Sequence, residues 1–171
     1  MNQKVLKTLE YNKIIHQLTG YAASAPGKLL CQNLLPMSDF HEIVQAQTET
    51  SDALTRVRMK GSLSLSGIRD VRDSLKRLEI GSALGIPELL SISSLLTVAA
   101  RAKAYGHHEE SEEFPDDSLD QMFRSLEPLT PANNEIKRCI ISEEEISDNA
   151  SPGLHKVRRS MHGINDRIHT Q

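Results

Sequence analysis

Leu154, Val157, Met161, Ile164 and Ile168 recur at intervals of three, four, three and four residues close to the end of the chain. That spacing is the apolar seam of a helix built to lie along another helix. Ser151 stands where an N-cap belongs. Pro152 follows at the first helical position, where its missing N–H costs nothing because that donor has no partner inside the helix. A helix therefore starts at residue 152. No Gly or Pro interrupts Ile168-His169-Thr170-Gln171, and the seam is still in phase there. The expectation is an N-terminal piece of a longer protein, its last helix the root of a longer arm.

The rest of the composition agrees with helix-on-helix packing. Aromatic residues make up 4% of the 171 residues and Trp is absent, so the core must be aliphatic. The predicted class is all-α: a helical bundle of residues 1–150 that ends in a long helix beginning at 151. Cys31 and Cys139 are too few and too far apart for a disulfide framework, and no signal-peptide pattern opens the chain. A reducing cytoplasm is expected, with no membrane, because no apolar run approaches the roughly 20 residues a bilayer requires. The net charge of −3 divides unevenly: Lys156, Arg158, Arg159 and Arg167 face Asp166 alone in residues 152–171, leaving −6 for residues 1–151. An acidic body with a basic arm points to a polyanion reached by the arm, and these four cations are the candidate nucleic-acid contacts.

Along the chain, Tyr11, Ile14, Ile15, Leu18 and Ala22 mark a first helix from about Thr8 to Ala23, after an irregular lead. Ser24 caps a short second helix carrying Leu29, Leu30, Leu34 and Leu35, stopped by Pro36. Asp39 caps a third, about 20 residues long, that runs to Gly61. Residues 61–70 alternate polar and apolar and read as an extended surface segment. Val71, Leu75 and Leu78 then define a helix ended by Gly81. Pro87 starts another, with Leu89, Ile92, Leu96, Ala99 and Ala102 inward and Gly106 closing it. Residues 109–117 hold six carboxylates in nine positions and are predicted to be a solvated loop. Helices near 117–127 and 132–140 precede a two-stranded turn across Glu143-Glu144.

No catalytic or metal-binding constellation emerges. Gly20 to Lys28 has a phosphate loop's ingredients at the wrong spacing, with Leu29 where Ser or Thr would hold magnesium. His107, His108, Glu109 and Glu110 lack the i, i+4 geometry of a metal site. His155, His162 and His169 lie two turns, about 10.5 Å, apart, too far for one ion to bridge. Glu143-Glu144-Glu145 is too local to set paired carboxylates across a cleft. The predicted fragment has no catalytic residues, no metal and no cofactor of its own.

Several phrases in order, Ser66-Gly67-Ile68-Arg69-Asp70-Val71-Arg72, Leu75-Lys76-Arg77, Glu79-Ile80-Gly81 and Asp148-Asn149-Ala150-Ser151-Pro152 with Leu154 and Val157-Arg158-Arg159, resemble the N-terminal region of the second bacterial MutS paralogue, MutS-II. Thr8-Leu9-Glu10-Tyr11-Asn12-Lys13-Ile14 and the phrase from Ala23-Ser24 to Gly27-Lys28 match how these proteins begin. The resemblance covers essentially the whole chain, departing at Gly153 and in the acidic run 109–117. It implies the helical core and first lever helix of a MutS-like ATPase and endonuclease, with a homodimer as the working form. Implied partners are branched DNA, in suppressing homologous recombination, or stalled and collided ribosomes. ATP and Mg are implied for the whole protein and not for this part. The alternative is a free-standing helical interaction module that binds a partner helix through the seam. A small metal-dependent enzyme in a helix bundle is the third possibility, and it lacks the inward Glu or His it would need.

Overall fold

The computed structural model describes residues 3–107 and 116–169, and of residues 3 and 165–169 the backbone alone. The described chain is all-α. Its helices are α1 (Gln3–Thr8), α2 (Tyr11–Tyr21), α3 (Ala25–Gln32), α4 (Phe40–Lys60), α5 (Arg72–Glu79), α6 (Ile86–Gly106), α7 (Asp120–Arg124), α8 (Thr130–Cys139) and α9 (Pro152–His169), with a 3₁₀ turn at Asp148–Ala150.

Capping chemistry sets most boundaries. The Ser24 hydroxyl accepts from Gly27 N–H at 3.1 Å, and one Asp39 oxygen accepts from the N–H groups of His41 and Glu42 at 2.9 and 3.0 Å. Gly61 and Gly81 follow α4 and α5 with φ of 77° and 79°, values that glycine takes without a Cβ penalty. Two expectations fail at the start. The lead is helical, forming α1, and Glu10 at φ 53° separates it from α2. The second helix ends at Gln32, before Leu34 and Leu35; Pro36 has no N–H to give the Gln32 carbonyl, its ring would clash with that carbonyl in a continued helix, and it drives Leu35 out of the α region. The expected turn across Glu143-Glu144 is present as an antiparallel bridge between Ile140 and Ile146.

The chain divides into two compact units, residues 1–70 with 97–128 and residues 71–96 with 129–171. Accordingly, α6 gives its C-terminal part to the first and its N-terminal part to the second. α6 is apolar on most sides: Leu96, Val98 and Ala102 are buried, and Leu89, Ile92 and Ala99 are half-buried.

In the first unit, the centre of the packing is a buried cation. Arg56, 1% exposed, lies on the face of α4 that carries the half-buried Ile43, Ala46 and Ala53; its Nε donates to Asp117 at 2.5 Å and its Nη2 to Asp120 at 2.6 Å. Its guanidinium stands 5.1 Å from the Phe123 ring centroid, and Tyr105 meets the same ring edge-on at 5.8 Å. α6 can end against this ring only because residue 106 has no side chain: a Cβ on Gly106 would fall far inside contact distance of Phe123 Cβ and Cγ. Asp117 therefore departs from the solvated loop expected of residues 109–117; residues 108–115 lie outside the described residues. The guanidinium holds the Asp117 carboxyl below the usual aspartate range.

In the second unit, Val71, Leu96 and Ile140 are buried. The buried Ser93 hydroxyl donates to Asn133 Oδ1 at 2.6 Å, linking α6 to α8 through a satisfied polar pair. Glu88 accepts from Gly85 N–H at 2.8 Å and from Arg77 at 2.6 Å, closing the turn between α5 and α6.

Candidate helix-pairing site

The root of α9 is fixed by backbone and side-chain bonds in the second unit. Ser151 accepts from Leu154 N–H at 3.2 Å, the N-cap expected from sequence, with Pro152 at the first helical position. Upstream, Ser147 N–H donates to the Cys139 carbonyl at 2.8 Å, tying the 3₁₀ turn to the end of α8. Two arginines complete the root. Arg138 pairs with Glu135 at 2.5 Å and donates to the carbonyls of Asn149 and Ala150. From α9, Arg158 reaches back to the Ile146 carbonyl at 2.8 Å and to Asp148.

Beyond the root, the seam stands open. Leu154 is half-buried, whereas Val157, Met161 and Ile164 are 57%, 61% and 57% exposed. Three large apolar side chains on one face of a capped helix form a surface whose burial is worth about 1.5–3 kcal/mol per side chain, which is what a partner helix would gain. The Ile168 side chain lies outside the described residues.

The four candidate cations fall into three groups. Lys156 and Arg159 are exposed, Arg158 is committed to the root, and the Arg167 side chain is outside the described residues. Arg158 acts first as a clamp on the 3₁₀ turn. No sequence signal announced this, because its partners lie 10 and 12 positions upstream across a change of direction. His155 and His162 are exposed on α9, and their positive potential adds to that of Arg158 in lowering the Asp148 carboxyl. His108, Glu109, Glu110 and the His169 side chain lie outside the described residues.

The remaining candidates take helical roles. Gly20 lies within α2 and Gly27 N–H is used by the Ser24 cap, so the stretch forms helix, cap and helix. Cys31 and Cys139 are free thiols. Among the described residues, no group of three or more His, Cys, Asp or Glu is placed to hold a metal ion, and no helix is long and apolar enough to cross a membrane.

Comparison with known proteins supplies the remaining finding. The endonuclease MutS2 of Lachnoclostridium phytofermentans is 57% identical over 173 residues, covering 99% of this chain and 22% of that protein. The chain is a relative of the MutS2 proteins. MutS2 of Agathobacter rectalis is 53% identical over 171 residues, 100% of this chain and 22% of its own length. MutS2 of Acetivibrio thermocellus is 39% identical over 168 residues, 98% of this chain and 21% of its own length. The chain thus spans about a fifth of the length of the MutS2 relatives it matches. No family profile matches it.

The electrostatics of the root make it acid-sensitive. Arg138 lowers the Glu135 carboxyl from 4.5 to about 2. A carboxylate whose pKa is lower in the folded state contributes stability above its ordinary pKa and loses it as pH falls through the folded value. The Glu135 contribution should therefore disappear between about 4.5 and about 2. Carboxyl-carbon NMR titration is expected to place Glu135 near the lower value, and Arg138→Gln to return it to the ordinary glutamate range. A normal Glu135 titration in the parent would refute the ion pair.

Proposed function

We propose that this chain is the helical core and lever root of a MutS2-type ATPase and endonuclease, without catalysis of its own. The observation that carries the reading is a helix fixed at its capped root whose open seam continues away from it, in a relative of MutS2. A rigid root with an unfilled seam suits a mechanical part: the seam takes a second helix of the same protein, and the pair relays movement between a clamp and an ATPase. On this reading the whole protein works in the cytoplasm as a homodimer, uses ATP and Mg, and grips branched DNA to suppress homologous recombination or engages stalled ribosomes. Lys156, Arg159 and Arg167 would add non-specific attraction to a phosphate backbone.

The test uses the full-length protein. ATP turnover should rise on addition of branched DNA or of stalled ribosomes, and whichever raises it is the target. Met161→Glu with Ile164→Glu puts charge into the seam and should abolish that rise. A double variant that responds like the parent would show that the seam carries no coupling. Stimulation by neither target would remove both proposed partners.

A further inference from the structure

We draw no further inference here: the strongest candidate, the exposed apolar groove that α1, α2, α4 and the segment after α3 form around Tyr11, Leu34 and Leu35, carries nothing because nothing in the structure shows what covers it.

Discussion

Replacing Arg56 with alanine is expected to lower the free energy of unfolding by about 3–5 kcal/mol, because it takes the shared cation from Asp117 and leaves the buried Asp120 the more distant Arg124 guanidinium, at 3.8 Å. The side chain is 1% exposed, so water cannot replace the bonds it makes to Asp117 and Asp120. Asp117 must then be protonated or solvated, and the aromatic face of Phe123 loses its cation. Arg56→Lys keeps the charge and forfeits the planar fork that serves both aspartates, and it should fall between parent and alanine. Urea unfolding followed by circular dichroism at neutral pH reads the effect, and a loss below about 1 kcal/mol would show that the network contributes no more than a surface pair. The sign with pH follows from Asp117. Its lowered carboxyl stabilises above the ordinary aspartate pKa and stops doing so as the solution is acidified through the folded value, and Arg56→Ala should lose that dependence.

Gly106→Ala should cost about 1–3 kcal/mol, the range for forcing extra volume into a filled site, although alanine is ordinarily the better helix former. Its new Cβ must displace Phe123, and with it the ring that faces Arg56 and Tyr105. The two positions should therefore be strongly coupled: in a Phe123→Ala background the alanine at 106 costs little or stabilises. Additive effects of the two changes in unfolding experiments would refute the close approach.

These two residues also show where reading the sequence stops. Helix ends written in local chemistry were legible: Ser24, Asp39 and Ser151 cap helices, and Gly61 and Gly81 follow them. Gly106 was legible as the end of α6 and not as a seat for Phe123, because the ring comes from 17 positions further along the chain. Arg56 did not stand out from the sequence among the charged residues of α4, and its partner Asp117 was hidden in a run of acids that composition alone marks as solvated. Leu34 and Leu35 kept helical spacing with α3, yet Pro36 places them in a groove wall. For the candidate site, the helix could be read from periodicity and its cap from Ser151 ahead of Pro152. That Arg158 faces back to the 3₁₀ turn could not, since periodicity carries no information on what a helix's first turns touch.

The two guanidinium clamps at the root of α9 bear unequal mechanical demands. α9 has 18 residues, about 27 Å at 1.5 Å per residue, and Arg158 lies about 9 Å from its start. A sideways load at the far end therefore reaches the Arg158 clamp multiplied roughly threefold, by simple moments about the first turn. Its bonds to Ile146 and Asp148 lie partly in water, where salt screens charge over about 8 Å at physiological strength. The compliance of this helix as a beam is thus set at its fulcrum, and it should soften as ionic strength rises even while the helix itself stays intact.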